Sequence, residues 1–193
     1  MPPLHRRFPI EIGRLLLRPI EPADLEALFA IYSRDDVSTY LYEEPRTRAE
    51  IEVMLQTKIA RRAIEAEGDT LALAIVRADT GTFVGDLVLN WASALHRQAE
   101  IGFVLHPDHH GNGFATEAAT ELLRIAFEEL GAHRVFGRTE ARNLASARVL
   151  ERLGMRREAH LVENEWVKAE WQSELVYAIL DREWRSGASA PTR

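Results

Sequence analysis

Two glycines lie between an apolar strand and a strongly amphipathic helix, in the segment His110-Gly-Asn-Gly113. The first turn of a helix leaves backbone N–H groups without acceptors, and the helix dipole adds a partial positive charge there. Glycine also lets the backbone come close to an anion. The segment therefore predicts a cradle for a phosphate or diphosphate group. The alternative is that Gly111 and Gly113 only shape a tight turn.

The same segment does not fit several other chemistries. It is too short for a dinucleotide fingerprint, and it lacks the Gly-Lys-Ser/Thr of a nucleoside-triphosphate loop. His106, His109 and His110 suggest a metal site, but histidines this close on one loop reach poorly around a tetrahedral ion, and only Asp108 adds a carboxylate. The chain also lacks the Gly-x-Ser-x-Gly element of serine hydrolases. We therefore expect neither a metal ion nor hydrolase chemistry.

Residues 100–118 resemble motif A of the GNAT superfamily of N-acetyltransferases, whose pattern is Gln/Arg-x-x-Gly-x-Gly/Ala. Gly111 and Gly113 stand at the two small positions. Asp108 stands where Gln or Arg is usual, and His110 stands where Arg is common. In the family, backbone amides of this motif bind the diphosphate of coenzyme A. Asp108 and His110 differ from the motif only in their side chains, so the backbone amides are still present to bind the diphosphate.

A second segment, residues 143–155, resembles motif B of the same family, a helix that ends in glycine and an apolar residue. The spacing of Asn143 and Ser146 and this ending are typical of the RimJ/RimL branch, the ribosomal-protein-alanine acetyltransferases. The opening Arg-Leu-Leu-Leu-Arg of residues 14–18 is also typical of that branch. The resemblance covers residues 14–179, nearly the whole chain.

The resemblance implies an N-acetyltransferase that moves the acetyl group of acetyl-CoA to a primary amine by direct attack in a ternary complex. A backbone N–H near Val104 is implied to meet the carbonyl oxygen, next to a bulge that splays two strands. A non-catalytic module that only binds an acyl-CoA is the alternative. The implied contacts of acetyl-CoA are Phe103, Val104, Leu105, His110, Gly111, Asn112, Gly113, Phe114, Ala115, Asn143 and Ser146.

Glu100 is the candidate for the catalytic base, because several family members carry a glutamate on this strand that takes the proton of the amine directly or through water. Strand alternation places Glu100 on the same face as Gly102 and Val104. A carboxylate on an otherwise apolar strand is costly unless it is solvated or paired. The structural alternative for Glu100 is a solvated strand end or an ion pair with Arg97 or Arg134.

The other end of the reaction needs a proton for the departing thiolate. Many family members place a tyrosine in the motif B helix, but Leu150 stands at that position here. Ser146 is the replacement candidate, as a hydrogen-bond partner of the sulfur, and an ordinary serine of the first helical turn is the alternative. Asn143 has the residue type of a helix N-cap and also the position of a cofactor ligand.

The resemblance places the acceptor amine between the loop around residues 40–44 and the last hairpin. Tyr40, Tyr42, Glu43 and Glu163 are the candidate contacts, the aromatic rings through cation–π interactions. A solvated acidic loop is the structural alternative for each of them. A protein N-terminal amine is the expected acceptor, and a polyamine, an amino acid or an aminoglycoside stays open.

The elements that must position these residues follow from hydrophobic periodicity and turn residues. Their predicted order is β-α-α-β-β-β-α-β-α-β-β, an α+β fold with a mixed, strongly twisted central sheet flanked by helices. We predict one domain at residues 10–182 with tails at 1–9 and 183–193, in keeping with a GNAT-like acyl-CoA N-acyltransferase fold. The strands are predicted at 15–20, 70–76, 82–91, 98–105, 134–139, 156–167 and 171–179, and the helices from 22 and over 47–67, 114–130 and 143–153.

Composition narrows the class of protein further. The net charge of −6 offers no basic stripe for phosphate backbones, so a nucleic-acid partner is not expected. No run of apolar residues is long enough for a membrane helix, and no secretory signal is recognisable, so we expect no membrane partner. The chain has no cysteine, which is compatible with a reducing cytoplasm, and cytoplasmic localisation is our expectation. A homodimer is left open.

Overall fold

The computed structural model describes residue 4 and residues 6–187, and its centre is one mixed sheet of eight strands. The strand order is β1-β2-β3-β4-β5-β6-β8-β7, and each neighbouring pair is antiparallel except β5 and β6, which are parallel. The mixed α+β sheet expected from the sequence is therefore confirmed. The strands are β1 Ile10–Ile12, β2 Leu15–Pro19, β3 Thr70–Arg77, β4 Phe83–Ser93, β5 Gln98–Leu105, β6 Arg134–Glu140, β7 Arg156–Val167 and β8 Glu170–Leu180.

Helices cover both faces of this sheet. On one face, the apolar stripe of the helix after the glycine loop packs on odd-numbered residues of β5, such as Ile101, in the larger core. On the other face, the first and third helices pack on β2, β3 and β4 in a second core. The helices are α1 Leu25–Tyr32, α2 Asp35–Ser38, α3 Arg48–Ala60, α4 Phe114–Arg124, α5 Leu144–Arg152 and α6 Asp181–Arg185, and a π-helical turn, Ile125–Glu129, extends α4.

Strands β5 and β6 pair only at their beginnings. Their register joins Gln98 to Arg134 and Glu100 to Phe136, and in the described chain no pairing follows, although β5 runs on to Leu105. Beyond Glu100 the two strands therefore part and leave an opening in the middle of the sheet. If the two strands paired along their whole length, their backbone N–H and C=O groups would bond to each other. Where the strands part, these groups stay without a partner strand, so the sheet has two inner edges with polar backbone.

The end of helix α3 differs from the one expected. Helix α3 begins at the predicted capping box of Thr47 and Glu50, but it ends at Ala60 rather than at residue 67. Ile64, which lies within the predicted helix, is instead fully buried and forms a β-bridge with Leu4. Gly68 does not end a helix, because its N–H donates to the carbonyl of Trp91 at 2.9 Å. These tertiary contacts outweigh the local helical pattern.

The segments expected as tails are partly packed. Leu4 is 7% exposed, and Arg6 forms an ion pair with Glu121 of α4 at 3.3 Å. At the other end, Trp184 of α6 stacks on Phe127 with ring centroids 5.9 Å apart. Residues 1–3, 5 and 188–193 of those predicted tails lie outside the described residues. Within the described residues, no helix is long and apolar enough to cross a membrane.

A buried ionic group joins the second helical layer to the sheet. Lys58 Nζ of α3 donates to Asp86 Oδ1 of β4 at 2.6 Å, and the Tyr32 hydroxyl of α1 donates to Asp86 Oδ2 at 2.9 Å. All three residues are buried. A buried carboxylate that loses its cation is left with an uncompensated charge, so this group makes the packing of α1 and α3 on the sheet strongly dependent on each member.

Lys58→Met should therefore lower the free energy of unfolding by about 3–5 kcal/mol, measured by urea denaturation. Asp86→Asn in the Lys58→Met background removes the stranded charge and keeps an acceptor for Tyr32. The double variant should be more stable than Lys58→Met alone. A double variant that is less stable than the single one would show that the charge is not the cause.

Candidate functional site

The loop between β5 and α4 has the backbone conformation that its two glycines permit. Gly111 and Gly113 have φ angles of 75° and 80°, in the left-handed region that side chains with a Cβ disfavour. A Cβ on Gly111 would meet no atom within 4 Å, so the conformation itself, not crowding, requires glycine there. Alternation of left-handed and ordinary residues turns successive N–H groups toward one concave side.

The N–H groups of this loop and of the first helical turn have no acceptor in the described part of the chain, over the six residues from Gly111 to Thr116. The first amide to be paired is that of Glu117, which donates to the carbonyl of Gly113 at 3.0 Å. The Thr116 hydroxyl oxygen is buried and also lacks a partner among the described residues. Free donors at the positive end of a helix dipole attract anions, and the sequence predicts a phosphate or diphosphate cradle at this loop.

The opening between β5 and β6 begins next to this loop. The His106 N–H donates to the Val84 carbonyl at 2.9 Å, and hydrogen-bonded and non-bonded pairs alternate along an antiparallel ladder. This alternation directs the Val104 amide toward β4, and it directs the Phe103 and Leu105 amides toward the opening. The Leu105 carbonyl also points away from β4, because its oxygen lies 3.1 Å from His110 Nε2 on that side.

The bulge expected near Val104 is not in the ladder between β4 and β5. These strands pair in unbroken register from Gly85 opposite Leu105 to Asn90 opposite Glu100, and the register shifts only between Asn90 and Ser93. The expected splay of two strands is nevertheless present, on the β6 side of β5. A Cβ on Gly85 would lie 2.3 Å from the Val104 carbonyl oxygen, so glycine allows a close approach of backbones at this end of the ladder.

Helix α5 lies over β6 beside the opening. A Cβ on Gly137 would lie 2.8 Å from Leu150 Cδ2 and 3.5 Å from the Ile101 carbonyl oxygen, so Gly137 lets the helix approach both strands. Asn143 caps the helix as predicted, because its Oδ1 accepts from the Ser146 N–H at 3.1 Å. Ser146 precedes Leu150 by one turn and shares its helix face. Its hydroxyl is half-buried and has no hydrogen-bond partner within the described residues.

Glu100 is paired on the other face of the sheet, but not with Arg97 or Arg134. Arg138 of β6 donates through Nε to Glu100 Oε1 at 2.8 Å, and this hydrogen bond raises the pKa of Arg138 above its ordinary value. Arg97 instead donates to the Gly131 carbonyl, and Arg134 pairs with Glu158. The alternative of a paired Glu100 was therefore right about pairing and wrong about the partner.

Arg138 also joins Glu100 to the acceptor side of the sheet. Its Nη1 lies 3.7 Å from Oε2 of Glu174, a carboxylate on β8 that is 3% exposed. The Tyr42 hydroxyl donates to the same Glu174 oxygen. Burial and then Glu174 raise the pKa of the Tyr42 phenol well above its ordinary value, so Tyr42 is a hydrogen-bond donor and not a base. Asn90, opposite Glu100 on β4, has a buried Oδ1 without a partner among the described residues.

The other predicted acceptor contacts lie farther from this group. Glu43 pairs with Arg46, and Tyr40 is 37% exposed and forms no hydrogen bond or ion pair with Glu100 in the described part of the chain. Glu163 sits where the register of β7 shifts, and its N–H donates to Ser173 Oγ at 2.9 Å. Of the four predicted residues, the structure brings Tyr42 alone into the described contacts of the Glu100–Arg138–Glu174 group.

Several residues of the site carry no clear signal in the sequence. Arg138 contacts both Glu100 and Glu174 because its strand, β6, lies between β5 and β8. No local sequence pattern reveals this strand order. Glu174 could have been suspected as a charged residue at a buried position of an otherwise apolar strand. Among the described residues, no three histidine, aspartate or glutamate side chains form a group that could hold a metal ion, and the rings of His106 and His109 are 5.9 Å apart.

Known proteins resemble this chain in sequence. Residues 14–156 match the family described as the acetyltransferase (GNAT) domain. The chain is 34% identical over 155 residues to the uncharacterized N-acetyltransferase YoaA of Bacillus subtilis, covering 80% of this chain and 86% of that protein. It is 25% identical over 161 residues to a spermidine N(1)-acetyltransferase of Vibrio cholerae, covering 83% of this chain and 89% of the relative.

A solved structure agrees with the sequence matches. The GNAT-family acetyltransferase of Bacillus anthracis superposes with a TM-score of 0.81 at 30% identity, covering 91% of this chain and all of that chain. The family match spans most of the chain, and it includes the glycine loop, the parted strands and helix α5. The chain therefore belongs to the GNAT family of acetyltransferases.

Proposed function

We propose that this N-acetyltransferase transfers the acetyl group of acetyl-CoA directly to a primary amine in a ternary complex, and that the amine is the N-terminus of a peptide or protein. Membership of the family establishes acetyltransferase activity and implies acetyl-CoA as the co-substrate. The observation that carries the proposal is the row of six free amides, Gly111 to Thr116, next to an opening between two parallel strands.

These features fit acetyl-CoA because its charged and its reactive ends need different surroundings. The diphosphate would rest on the free amides of residues 111–116, with Ala115 and the ring of Phe114 in the first helical turn beneath it. The pantetheine arm would occupy the opening, where it would complete the unpaired backbone of β5. In this arrangement the amides of Phe103 and Leu105, rather than that of Val104, would face the thioester carbonyl and stabilise its developing negative charge.

Glu100 would receive the proton of the attacking amine. Its carboxylate lies beside the opening at the last residue of β5 that pairs with β6, and Arg138 donates to both of its oxygens, at 2.8 and 3.5 Å. The free Oδ1 of Asn90 would accept a second N–H of the amine and orient its lone pair. An N-terminal amine, with a pKa of about 8, needs little help to lose a proton, whereas a lysine-like amine, with a pKa of about 10, needs more. A carboxylate already held by an arginine suits the less demanding acceptor.

The thiolate of coenzyme A would leave toward helix α5. Ser146, with its free hydroxyl on the face toward the opening, would donate a hydrogen bond to the sulfur, and Asn143 would hold the start of the helix. A serine hydroxyl is a weak acid, so a water molecule beside Ser146 would supply the proton. Direct attack fits this chain, which has no cysteine to carry an acyl group.

A polyamine is the second candidate acceptor. Two carboxylates, Glu100 and Glu174, flank one arginine in the site, and Glu165 lies near enough to raise the pKa of Tyr42. This excess of negative charge favours a substrate with more than one positive charge. The similarity to a spermidine N(1)-acetyltransferase points the same way.

The function is tested by release of coenzyme A thiol from acetyl-CoA in the presence of different amines. N-terminal peptides should give the highest kcat/KM, above spermidine, free amino acids and aminoglycosides. Preferential turnover of spermidine would replace the proposed acceptor with the second candidate. Saturable binding of coenzyme A without thiol release, for all these amines, would contradict transfer to any of them and favour the binding module.

Gly113→Glu should abolish binding of coenzyme A, because a carboxylate would fill and repel the proposed diphosphate cradle. Gly81→Glu is a matched control, since Gly81 also has a positive φ, 70°, and a Cβ there meets nothing within 4 Å. Both variants carry similar backbone strain and the same added charge. Calorimetry should show no binding to Gly113→Glu and unchanged binding to Gly81→Glu. Equal affinities for the two variants would place the diphosphate elsewhere.

Glu100→Gln should lower kcat by about 10²-fold, the typical contribution of a general base. The loss should be smaller for acceptors of lower pKa, since more of such an amine is already neutral. Arg138→Gln is the comparison, because it breaks the same ion pair and leaves the carboxylate in place. If Glu100 serves only to hold Arg138, the two variants will lose the same activity with every amine.

Two further proposals concern the surroundings of the enzyme. We propose that it acts in the cytoplasm, in keeping with its lack of cysteine, and that it forms a homodimer. The support for a dimer is the hairpin of β7 and β8, where the apolar side chains of Val162, Trp166 and Trp171 are 57–69% exposed. Exposed apolar side chains that lie close together are typical of protein–protein contacts. Sedimentation equilibrium at micromolar concentration tests the dimer, and a monomer there would contradict it.

A further inference from the structure

Arg14 reaches the glycine loop from a distant part of the chain, the turn between β1 and β2. Its Nη2 donates to the carbonyl oxygen of Asn112 at 3.0 Å and to Glu117 Oε2 at 3.0 Å. Its guanidinium carbon lies 4.7 Å from the centre of the Phe114 ring. One side chain therefore contacts the loop, the first residue of α4 and the first helical turn, while 60% of it stays exposed.

These contacts decide which way the loop peptides point. In a trans peptide the C=O and the N–H point in opposite directions. A carbonyl of Asn112 held by Arg14 therefore directs the Gly113 N–H away from Arg14. The Asn112 side chain orients the peptide between His110 and Gly111 in the same way. Its Nδ2 donates to the His110 carbonyl at 3.1 Å, which directs the Gly111 N–H away from the Asn112 side chain. The protein pairs these carbonyls and leaves the matching amides free.

Arg14 also changes the charge that an anion meets at this loop. Glu117 lies in the first turn of α4, where its carboxylate would repel a diphosphate. Arg14 binds both oxygens of that carboxylate, through its backbone N–H at 3.1 Å and its side chain at 3.0 and 3.3 Å. Asp108 is a second carboxylate of the loop, and His110 stands where arginine is common in the family motif. Arg14 thus brings a cation that positions 108 and 110 lack.

We infer that Arg14 is a positioning residue for the diphosphate of acetyl-CoA, together with the side chain of Asn112. Arg14 orients the amide of Gly113 and neutralises Glu117, and its exposed guanidinium adds positive charge beside the cradle. The inference rests on the proposed use of this loop for the diphosphate. It predicts that Arg14 matters only for carriers that have the diphosphate, not for the thioester end.

The test compares two acetyl donors, acetyl-CoA and S-acetylpantetheine, which has the same thioester arm without phosphate. Arg14→Met should raise KM for acetyl-CoA by about 10- to 100-fold, as expected for a lost charge-assisted contact, and change kcat less than about twofold. KM for S-acetylpantetheine should stay at the wild-type value. Arg14→Lys keeps the charge but cannot form the same fork of bonds, and it should recover part of the affinity for acetyl-CoA.

Arg185→Met is the matched control. Arg185 is similarly exposed, 63% for its side chain, and its Nε pairs with Asp181 at 2.8 Å in α6, so the variant loses the same charge and the same kind of ion pair. It should keep wild-type constants with both donors.

The outcomes separate this inference from the proposed function. An Arg14→Met enzyme that keeps its wild-type preference for acetyl-CoA would overturn the role of Arg14 alone. An equal loss with both donors would show a general structural role and overturn it as well. If the wild-type enzyme uses both donors with the same KM, the diphosphate makes no contribution to binding. That result would contradict both the proposed diphosphate site and the role of Arg14.

Discussion

The structure depends on a row of backbone N–H groups that the protein leaves without acceptors. In the described chain, the amides from Gly111 to Thr116 are free, although unpaired backbone donors are normally costly. They can stay free because they lie at a helix start open to solvent, and because nearby carbonyls are already bound by Arg14 and Asn112. The proposed diphosphate would accept from these donors without any rearrangement of the loop.

The sheet is arranged around the same need. β5 leads into the loop and parts from β6 after Glu100, so the strand that precedes the free amides also forms one edge of the opening. Gly137 allows helix α5 to lie against the other edge, because a Cβ there would meet Leu150 of the helix at 2.8 Å. Diphosphate, thioester and amine would then meet three surfaces that belong to successive elements of one chain. The helical layer of α1 and α3, fixed through Asp86, supports this arrangement from the far face.

The sequence predicted the parts of this account that depend on local patterns. The alternation of β5, the apolar stripe of α4, the glycine loop and the Asn143 cap are each written in neighbouring residues, and each is present. Contacts between distant residues were not accessible in that way. Glu100 meets Arg138 because β5 and β6 pair in parallel, and Glu174 meets Arg138 because β6 and β8 pair antiparallel. Ile64 is not helical as predicted, because it forms a β-bridge with Leu4, sixty residues earlier in the chain.

We propose that the free amides of residues 111–116 hold the diphosphate of the acetyl donor. Amide resonances of a ¹⁵N-labelled protein, followed during addition of coenzyme A and, separately, of pantetheine, test this proposal. Coenzyme A should shift the resonances of the Gly111 to Thr116 amides strongly, whereas pantetheine should leave them unchanged and shift amide resonances of β5 alone. Coenzyme A that binds without shifting the loop resonances would show that the diphosphate lies elsewhere.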